Sequence, residues 1–464
     1  MDNHWELVGR LPPLGACKRR ILSHPPKLFR INDSDSPLVH SMMSTPRQPN
    51  DSTRTPIRWW PGFRSTATGV FVIFLGLFSP LAPEANATVK VGFLGGFTGP
   101  VESVAPIIFS AAQLAATQIN QQGGLRGGEQ LAFVQGDTGC ADVERARHAA
   151  QQLIEVYEAH AILGALCSGA TLEAARRVAI PNNTVMLTPA STSPSLSTLD
   201  DRDLVFRVAV SDAYQGEVMA RLLAKKGIRR IAVSYIDNDY GNGFFNALTA
   251  AFSDLGGRVA AAIAHTEEEP DFAAQIETLA DSGTNTLVIL AEARGSGTRV
   301  LEQALTTETF ANYVIGDRMI DDSVISAVGA NPLQFLLATQ PVMPHRAQAD
   351  SFNDLMREAG NPGTNFYAAH AYDAAFVLAL ALERQWQDKS LSLSQALRDV
   401  SGSPGSEIGP GEWERALALL SAGEEIDYQG ASGDLEFDAN GDVAGTVMQV
   451  GVSKGSFTTF RQLY

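Results

Sequence analysis

Histidine, cysteine and basic charge are all in short supply in this 464-residue chain. Five histidines follow Ala87, at 148, 160, 265, 345 and 370. None forms an H-E-x-x-H motif or joins a cysteine in a ligand set, so no metal centre and no cofactor are expected. Lys and Arg total 35 against 51 Asp and Glu, a net charge of −16. Residues 1–87 hold ten basic and six acidic residues, which leaves 25 and 45, or −20, for the remainder. Such a surface repels phosphate backbones, so nucleic acid is not an expected partner. No glycine loop of the P-loop type occurs. The apolar run 70–78 is too short to span a bilayer.

What is present divides the chain in two. The first 60 or so residues are rich in Pro, Ser and Arg without apolar periodicity, and read as a disordered extension. Arg58-Trp59-Trp60-Pro61-Gly62-Phe63-Arg64 then supplies a basic flank, 69–80 an apolar core, and Ala85-Asn86-Ala87 a small-x-small motif. Together they predict a secretory signal cleaved after Ala87 and a free periplasmic protein, since no cysteine near the cut offers a lipid anchor. Cys17 leaves with that segment. Cys140 and Cys167 remain, and in an exported chain a disulfide is the default, two buried free thiols being the alternative.

The remainder is long enough for two domains and 45% hydrophobic over the whole chain, ordinary for a globular protein. Short β-rich runs at 89–94, 131–135, 161–166 and 184–187 alternate with helical patterns. One of these helices is capped by Asp142. A second series follows, with helices at 212–226, 242–255, 272–282 and 297–305 and strands at 230–235, 286–290 and 313–315. Alternation of this kind implies parallel sheets covered on both faces. Long helices are expected at 350–359, 367–384 and 393–400, and Asp438-Ala439-Asn440-Gly441-Asp442 reads as a hairpin turn.

At this point several segments, in order, resemble the leucine/isoleucine/valine-binding protein family. They include Val89-Lys90-Val91-Gly92-Phe93-Leu94, Thr98-Gly99-Pro100, Gly136-Asp137, Gly164-Ala165-Leu166-Cys167-Ser168 and Thr188-Pro189-Ala190-Ser191-Thr192. Tyr240-Gly241 and Ser432-Gly433-Asp434 continue the match, which covers nearly all of 88–464. That family is similar in fold to the ligand domains of metabotropic glutamate receptors. The resemblance implies two doubly wound, Rossmann-like α/β lobes joined by a three-segment hinge, the type I periplasmic binding fold. Lobe 1 would comprise 88–211 and 341–432, and lobe 2 212–340 and 433–464, with crossings near Ser211, Gln340–Pro341 and Gly430–Gly433.

The resemblance also implies roles. Ser168 would bind a ligand carboxylate through its hydroxyl and neighbouring N–H groups, a simple N-cap being the alternative. Ala190 would contribute backbone atoms and Thr192 its hydroxyl, with the disulfide stiffening the same loop. Asp212 matches an amine-binding acid but also reads as a helix N-cap. Tyr240 and Tyr367 match aromatic wall positions, with ordinary packing as the alternative for each. Three positions depart from the pattern. Arg318 stands where amino-acid binders carry an acid, next to Asp317. Ala293 replaces a ring-bearing residue, and Val104 an aromatic. Either Asp212 and Asp317 hold an amine, or the ligand differs and Arg294 or Arg318 pairs with a second carboxylate, surface ion pairs being the plainer account of both arginines.

Gly451-Val452-Ser453-Lys454-Gly455 fits a hydrolase G-x-S-x-G pattern. Only nine strand-like residues follow it, so the strand–turn–helix it needs is not expected. Asp438, Asn440 and Asp442 lack the later glutamate of a calcium loop. The expectation is therefore a monomeric binder, not an enzyme. It would pass a small ligand to an ABC permease, the alternative being a ligand sensor that signals to a membrane kinase or regulator.

Overall fold

The computed structural model describes residues 87–342, 347–361 and 366–463. The expected extension and export signal lie outside them, Ala87 excepted.

Five strands build the first sheet: β1 (Thr88–Gly95), β2 (Gln130–Asp137), β3 (Ile162–Gly164), β4 (Met186–Thr188) and β5 (Val205–Arg207). All pair in parallel, in the order β2-β1-β3-β4-β5. Helices cover both faces, which is why β1 is buried throughout 91–95, with Lys90 before it only half-buried. Asp142 caps the helix Val143–Glu155, its Oδ1 accepting from the Arg145 N–H at 3.0 Å.

The second sheet adds β6 (Arg230–Ile236), β7 (Arg258–His265), β8 (Thr286–Leu290), β9 (Asn312–Ile315) and β10 (Leu337–Val342). The helices Ala347–Glu358, Phe366–Gln387, Leu393–Ser401 and Trp413–Ser421 and a two-stranded ladder, β11 (Ser406–Ile408) with β12 (Ile426–Tyr428), come next. The chain then returns with β13 (Thr446–Ser453) and β14 (Ser456–Leu463), giving the order β14-β13-β10-β9-β8-β6-β7. β6 to β10 are parallel, and β13 and β14 run antiparallel at one edge. The two sheets carry separate apolar cores. Phe366–Gln387 belongs to the first: Tyr372 reaches Gln118 Oε1 at 2.5 Å on the helix Ala105–Gln121.

Three findings differ from the sequence reading. β7 escaped it because RVAAAIAH is alanine-rich and lies on an edge, half exposed, where no sustained apolar alternation is needed. The turn at Asp438–Asp442 is not the hairpin. Asp438 Oδ1 accepts from Asn440 and Asp442 N–H groups in a local turn outside the ladders. The hairpin joins β13 to β14 through Lys454 and Gly455, both at positive φ (53° and 82°), as a tight two-residue turn requires. That hairpin contains the G-x-S-x-G pattern, so its serine ends a strand rather than opening a helix. Leu435, Phe437 and Val443 still pack in the first core, and the chain enters the second sheet only at Thr446.

Buried polar groups tie the crossings down. Arg207, 1% exposed, forks onto Asp442 at 2.7 and 2.8 Å and donates to the Thr192 and Ser193 carbonyls. Asp373 accepts from Tyr428, the Ala431 N–H and both donors of Ser432. Gln215 Nε2 donates to the Thr339 carbonyl at 2.8 Å, joining the first crossing to the second.

Candidate binding cleft between the two sheets

In parallel α/β sheets, loops at the carboxyl ends of strands face a common crevice. Here β3 leads into Leu166, Cys167 and Ser168, and β4 into Ala190 and Thr192. From the other sheet β6 leads to Tyr240, β8 to Glu292, and β9 to Asp317 and Arg318. The Cys140–Cys167 disulfide (Cα–Cα 5.4 Å) ties the loop after β2 to the loop after β3. The helix Phe366–Gln387 brings in Tyr367.

Asp317 is the hub. Its Oδ1 accepts from the Tyr240 hydroxyl at 3.1 Å and Gln215 Nε2 at 3.4 Å, and its Oδ2 from the Tyr367 hydroxyl at 2.6 Å. The Tyr367 bond reaches across from the first core to the second. Burial and the neighbouring Asp317 push both tyrosine hydroxyls well above their usual range, so each stays a donor.

Arg318 bridges the sheets in the other direction. Its side chain is 6% exposed and pairs through Nη1 with Glu292 Oε1 at 2.8 Å. Nη2 donates to the Ala190 carbonyl at 3.1 Å and approaches the Leu166 carbonyl at 3.5 Å. The guanidinium lies 4.4 Å from the Tyr240 ring centre, a cation–π contact in a desolvated place. Its Nε is buried with no partner. Arg294, by contrast, is half exposed and pairs with Asp321.

Asp212 is wholly enclosed. Ser211, not Asp212, caps its helix, accepting from the Ala213 N–H. Both Asp212 carboxylate oxygens lack a hydrogen-bond partner, as does the Thr192 hydroxyl nearby. Desolvation, then the proximity of Asp317, pushes its pKa up to about 8, against smaller opposing effects of Thr192, Arg318 and Arg207.

Two cavities flank Arg318 and Glu292, which line both. The larger, of about 560 Å³, lies between the start of the first helix (Val104, Ile107, Ile108) and Tyr367 on one side and Arg294 and Ile320 on the other. The smaller, of about 360 Å³, is lined by Ser168, Tyr240, Asn238 and Glu267. Ala190, Asp317, Arg318 and Tyr367 line the larger cavity, whereas Thr192 and Asp212 line neither. Ser168 follows the capping residue Cys167, and its Oγ accepts from the Ser193 N–H at 3.3 Å. Ala293 is buried and its N–H donates to the Arg318 carbonyl at 3.2 Å. Sequence reasoning gave Gln215 and Glu292 no role. Gln215 stands three residues after Asp212 on the same helix, where a shared face follows from helical spacing. Glu292 has no comparable signal, because only the fold sets it opposite Arg318.

The chain is similar to known proteins in sequence and in fold. The family described as receptor family ligand binding region matches residues 108–453. A leucine-, isoleucine-, valine-, threonine- and alanine-binding protein of Pseudomonas aeruginosa is 26% identical over 319 residues, 68% of this chain and 83% of its own. The chemotactic signal transduction substrate-binding protein BasB of Halobacterium salinarum is 26% identical, covering 76% of this chain and 84% of its own. A leucine binding protein of Thermotoga maritima superposes with a TM-score of 0.68 at 24% identity, over 81% of this chain and 99% of that one. That likeness shows the shared two-lobed, type I periplasmic binding fold.

Proposed function

The chain belongs to the receptor family ligand binding region, and on that premise we propose an exported solute-binding protein whose cleft captures a small amino acid or related solute. The solute is then handed to an ATP-driven membrane permease. One observation carries this reading. Asp317 and Arg318, after β9, meet Leu166 and Ala190, after β3 and β4, and Tyr367 of the helix Phe366–Gln387 at the wall of a ligand-sized cavity. Hinge closure would bring the lobes onto the solute, desolvate it and present a closed face to the permease. Ser168 contributes a hydroxyl and Ala190 its backbone, Tyr367 and Tyr240 orient Asp317, and Thr192 lines neither cavity. Asp212 sits in the wall behind them. In this reading the protein works as a monomer and catalyses nothing.

A second reading, a sensor whose closed form engages a membrane receptor, draws support from the chemotactic name of the Halobacterium relative. Neighbouring genes for permeases and ATPases favour transport, and a kinase or regulator gene favours sensing. The test of the cleft is a thermal-shift screen of refolded, ligand-stripped protein against amino acids, amides and small carboxylates. A ligand at a hundred times its Kd stabilises by about 2.7 kcal/mol. A shift that survives Tyr367→Phe and Arg318→Gln unchanged would place the ligand elsewhere and sink this reading.

A further inference from the structure

Resting on that cleft reading, we propose that the ligand is a small carboxylic acid without an α-ammonium group: a 2-oxo acid or a simple aliphatic or aromatic acid. The place where cleft carbonyls converge is already held by the protein's own cation. Leu166 and Ala190 present their carbonyl oxygens to Arg318 Nη2, and Glu292 Oε1 receives Nη1. Asp317, the other acid beside them, already accepts from Tyr240, Gln215 and Tyr367. Asp321, further along the wall, pairs with Arg294 and caps its helix.

Arg318 Nε is different. It is a buried donor with no partner, on a side chain 6% exposed that lines the larger cavity. Arg318 lines that cavity beside Arg294, and a ligand carboxylate suits a guanidinium at its wall through a charge-assisted bond. An ammonium in the same place would meet a like charge and would have to displace the guanidinium from Ala190. Asp212 does not rescue it, since it lines neither cavity. The remaining wall suits an apolar body: Val101, Val104, Ile107, Ile108 and Ile320. The volume of about 560 Å³ leaves room for a branched aliphatic chain or a single ring.

Compounds that share a carbon skeleton and differ only at the α-carbon decide the matter. Leucine, 4-methyl-2-oxopentanoate and 4-methylpentanoate form one set, phenylalanine and 3-phenylpropanoate another, each titrated calorimetrically into ligand-stripped protein. The acids lacking the amine should bind at least tenfold more tightly than the amino acids in one or both sets. Arg318→Gln should weaken them by a further tenfold or more. Equal or tighter binding of the amino acid overturns this proposal and leaves the cleft reading standing. Failure of every compound to bind, with the protein folded by circular dichroism, overturns both. If Arg318→Gln does not fold, the matched compounds on the unaltered protein still separate these outcomes.

Discussion

Replacing Asp212 by asparagine should flatten the pH dependence of stability while keeping the shape of the wall. The folded-state pKa of Asp212 is raised from 3.8 to about 8, first by desolvation and then by Asp317. Between those values the folded protein holds a proton that the unfolded chain has released. Folding must then draw that proton from solution, so this carboxyl makes the protein less stable as pH rises from about 4 to about 8, and no further above that. One proton corresponds to about 1.4 kcal/mol per pH unit, so Asp212→Asn should gain on the unaltered protein by about 3 kcal/mol between pH 5 and pH 7. Calorimetric melts of both proteins at half-unit pH steps would show this as midpoints that diverge by a few degrees toward neutral pH. Parallel curves over that interval would refute the reasoning, because they would mean that the carboxyl titrates alike in the folded and unfolded states.

The other expectations concern the ties around the cleft. Arg207→Met leaves Asp442 without its buried partner and frees two carbonyls, and should lower stability by about 3–5 kcal/mol in denaturant unfolding; a loss under about 1 kcal/mol would show the fork to be dispensable. Serine at both Cys140 and Cys167 opens a loop of 27 residues' separation and should cost about 3–4 kcal/mol, read as the difference between oxidised and doubly substituted protein. Tyr367→Phe removes the 2.6 Å bond to Asp317 across the lobes and should weaken ligand binding by roughly 1.5–3 kcal/mol, with global stability changed less. Gly216→Val should destabilise strongly, since a Cβ there would lie 2.8 Å from the Leu248 nitrogen where two helices meet; a midpoint unchanged from the parent would mean these helices can separate freely.

Much of this protein was fixed by local pattern. Short apolar runs rich in β-branched residues, such as 286–290, favour strands buried on both faces, and their alternation with amphipathic helices implies parallel sheets whose loops meet at the carboxyl ends. Asp142 as a cap and the long buried helix around Tyr372 follow from the same short-range rules. The alanine-rich edge strand β7 shows where those rules fail, because its place is set by pairing with β6 rather than by its own composition.

The side-chain chemistry of the cleft divides the same way. That Ser168, Ala190, Tyr240 and Asp317 are candidates for the cleft follows from the resemblance to the leucine/isoleucine/valine-binding family, not from spacing, which reads Ser168 equally as a helix cap and Tyr240 as ordinary packing. What each one touches follows from neither, because contacts between residues 26 to 152 positions apart are set by how two sheets meet. Only the tertiary structure gives Arg318 to Glu292 and the Ala190 carbonyl, binds Tyr367 to Asp317, and encloses Asp212 behind Thr192 with a raised pKa. The physical reason is that burial decides the value of a charge. The same arginine on an exposed loop would be a solvated ion pair of small consequence, and here, removed from water, it pairs with Glu292 and reaches the Ala190 carbonyl across the cleft.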